Sequence, residues 1–107
     1  MSNPTLDELD LLHANICQAL GDPKRILILY ALHKRPRHVT ELANDLDIPQ
    51  PTISRHLRVL RQRHLVSTER EGTAVLYTIK DKRIIDVLDA MRAILRDSLA
   101  QQSDMLA

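Results

Sequence analysis

Phenylalanine and tryptophan are absent from this 107-residue chain, and tyrosine occurs only twice. Single-stranded nucleic acid is held by stacking bases on aromatic rings, and this chain lacks the platforms for it. The single cysteine, Cys17, cannot close a disulfide within the chain, which fits a cytoplasmic protein. No apolar run approaches the roughly 18 to 20 residues of a membrane span. The opening MSNPTLDELD is acidic and polar, unlike a secretory signal, so no membrane partner is expected. With two glycines there is no Gly-rich phosphate loop, and no acid pair or activated nucleophile stands where a cleft could form. The chain is therefore read as no enzyme, and no cofactor is expected. Its 44% hydrophobic content is that of one globular domain, residues 1–107, with one modest core.

A net charge of +1 conceals a segregation of charge. Residues 1–22 carry Asp7, Glu8, Asp10 and Asp22 and no Lys or Arg; residues 23–38 carry Lys24, Arg25, Lys34, Arg35 and Arg37 and no acid. From Ile48 to Thr68 come Arg55, Arg58, Arg61 and Arg63, again with no acid.

Helical spacing organises most of the chain. Thr5 with Glu8 predicts a capping box, followed by an apolar stripe of Leu6, Leu9, Leu12, Ile16 and Leu20 that Gly21 ends. Asp22 and Pro23 suit the cap and first position of a second helix, whose run Ile26 to Leu32 predicts the most buried element; Pro36 stops it. Thr40 and Glu41 open a short helix with Leu42, Ala43 and Leu46 inward. Asp47 to Gln50 reads as a turn, and Pro51 starts a helix running to about His64. Helix, four-residue turn and helix make a helix-turn-helix. The period then shortens to two: Val66–Glu71 and Ala74–Ile79 predict a hairpin with Gly72-Thr73 at its tip. Asp81 caps a last helix bearing Ile84, Ile85, Leu88, Met91, Leu95 and Leu99, and residues 101–107 are expected to fray. The fold class is thus mainly α with a β-hairpin wing, five helices and two strands. The stripes on the first and last helices exceed what one face of so small a domain needs to bury. A homodimer joined by those helices accounts for the surplus, and purely intramolecular packing is the alternative.

At about 100° per residue, Ile53, Leu57 and Leu60 of the helix from Pro51 fall within about 60° and should bury. Arg55, Arg58 and Gln62 lie opposite, with Thr52 and Val59 beside them, while Arg61 and Arg63 flank the buried edge. A guanidinium fork suits phosphate and guanine, and the helix start, with Gln50, Thr52 and Ser54, is where recognition helices meet base edges and where amides favour phosphate. Arg55 would read bases, and Arg58, Arg61 and Arg70 would hold phosphate. Thr40, heading the preceding helix, and Thr73, at the hairpin tip, complete the expected DNA-contacting set. Two alternatives stand beside double-stranded DNA: a merely solvated basic face, and a protein–protein module that offers the arginines to an acidic partner.

The segments LGDPKRILILYAL, VTELANDLDIPQPTISRHLRVLRQRHLV and REGTAVLYTI resemble, in order and spacing, the winged helix-turn-helix repressors of the ArsR/SmtB type, over about residues 10 to 99. The resemblance implies a homodimeric repressor on an imperfect inverted-repeat operator, released by an inducer. It implies groove-reading positions at Gln50, Thr52, Ser54, Arg55 and His56, with a wing at Arg70 to Thr73. The family's arsenic and cadmium sensors carry a Cys-x-Cys motif before the turn, where this chain has Ala43, Asn44 and Asp45. The positions matching the zinc sensors' ligands read Asp81, Arg83, Ile94 and Asp97, and an arginine and an isoleucine cannot ligate. No standard metal site is expected. What remains is His13 and Cys17, four apart on the first helix at its apolar stripe. They are either a packed histidine and a small thiol or a sensing pair for a metal or redox inducer; a small-molecule inducer and no inducer at all are the other options.

Overall fold

The computed structural model describes residues 2–106. Helix α1 (Leu6–Leu12) begins at Thr5, whose hydroxyl accepts from the Glu8 N–H at 3.2 Å. It then widens into a π-helical turn, His13–Cys17, which the apolar spacing did not foretell. The Gln18 N–H reaches back to the His13 carbonyl, while Asn15 Nδ2 donates to the Leu11 carbonyl at 2.8 Å. A side chain that takes a carbonyl from the ladder is a recognised cause of such widening.

Asp22 caps α2 (Pro23–Lys34), accepting from the Lys24 N–H at 2.8 Å. Ile28, Leu29, Ala31 and Leu32 of α2 are buried, so the continuous apolar run does mark the core helix. Helix α3 (Val39–Leu46) starts earlier than expected. His38, not Thr40, is the cap, because Glu41 stands three residues after His38 and its carboxylate accepts the His38 N–H at 3.0 Å. Asp47, left-handed at φ 54°, turns the chain into α4 (Gln50–Gln62), so Pro51 occupies the second helical position rather than the first. Helix α4 stops short of His64, whose φ of 60° ends it. Strands β1 (Val66–Glu71) and β2 (Ala74–Ile79) pair antiparallel from Val66–Ile79 to Glu71–Ala74, with the expected two-residue tip. Gly72 there has a φ of 63°, as the tight hairpin turns require.

Helix α5 (Arg83–Leu106) is 24 residues long. Asp81 Oδ1 accepts from the Arg83 N–H at 3.0 Å at its start. Only its root is packed: Ile84, Ile85 and Leu88 are buried, and the Tyr30 hydroxyl of α2 donates to Asp89 at 2.6 Å. The segment expected to fray is helical through Leu106. It holds no Gly or Pro, and Ala107 lies outside the described residues. Ile28, Leu29, Leu42, Ile53, Leu57, Leu60, Val66 and Leu88 form the fully buried centre. Leu6, Leu9 and Leu12 of α1 and Met91, Leu95 and Leu99 of α5 are exposed. Among the described residues no helix is long and apolar enough to cross a membrane.

Candidate nucleic-acid interface

Helix α4 is held by one face. Ile53, Leu57 and Leu60 are fully buried, and that alone turns Ser54, Arg55, Arg58 and Arg61 to solvent. Arg63, expected at the buried edge with Arg61, is also exposed. Thr52 is half-buried, and Val59 packs partly against the core. Thr40 and Gln50 are exposed and line one open cleft of about 560 Å³ between α3 and the start of α4. Arg70 and Thr73 are exposed on the wing.

His56 departs from the expected set. The resemblance places it among the groove-reading positions, but its side chain is turned inward and is only 9% exposed. By angle His56 stands beside the buried arc, next to Leu60, as Arg61 stands beside it next to Leu57; contact with Arg25 of α2 turns the histidine inward while Arg61 stays exposed. The start of α4 is also a poorer phosphate site than its sequence suggests. Pro51 has no N–H, and the Thr52 and Ile53 amides are already taken by the Pro49 carbonyl at 3.0 and 3.1 Å. Anion binding here therefore rests on the arginines.

The arginines fall into two groups. Arg35 pairs with Glu41 at 3.0 Å, Arg37 with Asp45 at 2.6 Å, Arg83 with Asp81 at 2.6 Å and Arg92 with Asp89 at 3.4 Å. Among the described residues, Arg55, Arg58, Arg61 and Arg70 have no carboxylate within ion-pair distance, and neither do Arg25, Arg63 and Arg96. Four unneutralised guanidinium groups on α4 and the wing form a field suited to a polyanion.

The wing is fixed to the body by residues that sequence reasoning did not single out. Arg37 and Tyr77 exchange both backbone hydrogen bonds, at 3.1 and 2.9 Å, a one-residue bridge on the edge of β2 away from β1. Arg37 is itself buried, at 8% exposure. The His38 ring lies against β2 and β1, with Nδ1 2.9 Å from the Val75 carbonyl and Nε2 3.2 Å from Glu71. In sequence both residues read only as part of a basic run. Their partners lie about forty residues away, so no local pattern marks them.

His13 and Cys17 are both exposed in the π-helical turn. Among the described residues no group of three or more His, Cys, Asp and Glu side chains gathers to hold a metal. Asp81, at the first zinc-sensor position, is engaged by Arg83, whose side chain and backbone N–H hold its carboxyl down to about 2.

The family model described as the bacterial regulatory protein, arsR family, matches residues 22–68, from the cap of α2 into β1. The transcriptional regulator KmtR of Mycobacterium tuberculosis is 33% identical over 90 residues, covering 83% of this chain and 69% of KmtR. The transcriptional repressor SmtB of the same species is 40% identical over 77 residues, covering 71% of this chain and 57% of SmtB. The homodimeric winged helix-turn-helix DNA-binding domain Mb0332 of Mycobacterium bovis superposes with a TM-score of 0.76 at 25% identity, covering 94% of this chain and 95% of that one. These relatives are transcriptional regulators, not enzymes. By its fold, the order of its elements and these likenesses, the chain belongs to the ArsR/SmtB family of winged helix-turn-helix, DNA-binding transcriptional regulators.

Proposed function

We propose that the protein is a homodimeric repressor that binds an imperfect inverted repeat in double-stranded DNA. Helix α4 of each protomer enters the major groove of one half-site, and the wing lies against neighbouring backbone. The observation that carries this reading is the cluster of exposed arginines on α4 and the wing, none of them paired with a carboxylate. Arg55, with Gln50, Thr52 and Ser54, reads base edges. Arg58, Arg61 and Arg70 hold phosphates, with Thr40 and Thr73 at the margins. Dimerisation is supported by the exposed apolar stripes of α1 and α5 and by the homodimeric state of the Mb0332 domain. Release would come from an inducer: a metal ion or oxidant meeting His13 and Cys17, or a small molecule bound elsewhere.

The test is the double variant Arg55→Ala/Arg58→Ala, measured by fluorescence anisotropy on the promoter DNA beside the protein's own coding region. A good arginine contact to a base contributes about 1–3 kcal/mol, so losing it together with a phosphate contact should lower affinity about 10-fold or more. Circular dichroism and sedimentation should stay those of the folded dimer. Unchanged affinity at moderate salt would falsify the reading.

A further inference from the structure

Arg25 lies in the first turn of α2, and its guanidinium has three partners. Nε donates to the Ala19 carbonyl at 2.6 Å and Nη2 to the Gln18 carbonyl at 3.2 Å. Both carbonyls belong to the end of the first helical segment, directly after the π-helical turn. Nη1 lies 3.3 Å from Nδ1 of His56, on α4. One side chain thus joins the end of the first helix to the helix that carries Arg55 and Arg58.

The chemistry of this contact fixes the state of the histidine. A guanidinium has five N–H donors and no acceptor, so His56 Nδ1 must offer its lone pair, and the ring proton must sit on Nε2. An imidazolium would set a second N–H against the first, next to a positive charge. The charged groups acting on the ring are Asp22, Lys24 and Arg25 from α2 and Arg55 from α4, so cations outnumber the single carboxylate. Burial also disfavours the charged ring.

The link supplies what the apolar contacts of α4 do not. Burial of Ile53, Leu57 and Leu60 selects the inward face, but apolar attraction has no direction and tolerates a small slide or rotation. A hydrogen bond from an arginine anchored at two other points is directional. His56 immediately follows Arg55, so displacing one moves the other.

We propose that Arg25 and neutral His56 form a positioning link that sets α4 against the end of the first helix, and that protonation of His56 breaks the link and weakens DNA binding. The proposal rests on the reading of α4 as the DNA-contacting helix. Arg25 acts here through His56 and need not touch DNA.

The test compares affinity at about pH 7.5 and about pH 5.5, at fixed ionic strength, for the wild type and His56→Gln. The probe is the duplex that the wild-type protein selects from a random pool. Glutamine does not titrate, so its ratio carries only the acid dependence of the rest of the protein. Each protein is judged by its own ratio between the two pH values, which cancels any difference in starting affinity. Only the protonated fraction loses the link, so linkage predicts that the wild type weakens about two- to five-fold more than His56→Gln on acidification. Arg25→Met should bind about ten-fold more weakly than the wild type at the higher pH while remaining dimeric. The His56→Gln comparison decides by itself should Arg25→Met not fold. Superimposable pH ratios for the wild type and His56→Gln overturn this proposal alone. A wild type that selects and binds no duplex at either pH overturns the reading of α4, and this proposal with it.

Discussion

At His56, burial pushes the imidazole below its ordinary value of 6.5; Arg25, Arg55 and Lys24 push the same way, and Asp22 opposes them. The unfolded chain therefore takes up a proton near 6.5 while the folded one still resists it. Between those two points the unfolded state binds more protons, so stability rises with pH and falls on acidification. Asp22, whose carboxyl is held below 3.8 chiefly by the Lys24 N–H, gives up its contribution only at far lower pH, so the two effects separate. Thermal melts through a pH series should show the melting temperature dropping below about pH 6.5, and dropping less in His56→Gln. A wild type and variant with parallel profiles would contradict this. At this scale the sequence was partly legible. The exposure of Arg55 and Arg58 follows from their angle to Ile53 and Leu57, whereas His56 stands at the edge of that arc, where angle alone does not decide burial. Arg25 and Arg37 were not legible as structural residues. Their partners, His56 and Tyr77, come near only in the folded chain, and nothing local separates them from the neighbouring surface charges.

Among the elements, the hairpin was the most legible. Its alternation and two-residue tip placed both strands on Val66–Glu71 and Ala74–Ile79, because a period of two leaves little freedom in register. Its tip also gives a clean test. A Cβ added at Gly72 would meet no atom within 4 Å, so Gly72→Ala acts only through the backbone at φ 63°. The left-handed conformation should cost about 1 kcal/mol in urea unfolding, with faster amide exchange in β1 and β2. Equal stability would show that the tip can relax into another turn. Helix ends were less legible. The α3 cap fell at His38 and α4 began at Gln50, since several neighbouring residues can each satisfy a helix start and tertiary contacts choose among them. The π-helical turn at His13–Cys17 could not be read from apolar spacing, which the polar contact beside it, Asn15 to the Leu11 carbonyl, does not alter.

For the whole molecule, two surfaces stand out against an otherwise ordinary exterior. One is apolar and comes in two stripes, Leu6, Leu9 and Leu12 of α1 and Met91, Ile94, Leu95 and Leu99 of α5, a surplus of exposed side chains that a second copy of the chain would cover. The other is basic: α4 and the wing, with guanidinium groups left free. The near-neutral total charge hid this second surface, and only the segregation along the chain disclosed it. Placed together on a two-fold dimer, they would present two basic helices to one face of a duplex, the arrangement an inverted repeat requires. The central claim, that the arginine face is built for the phosphates and bases of DNA and not for an acidic protein, is tested most directly by a salt titration. The affinity of the wild-type protein for random duplex DNA would be measured from low to moderate salt, beside Arg55→Ala/Arg58→Ala. Clear binding at low salt should weaken steeply as salt rises, with a log–log slope that falls by about one for each phosphate-contacting arginine removed. No binding to duplex DNA even at the lowest salt would contradict the claim and favour an acidic protein partner.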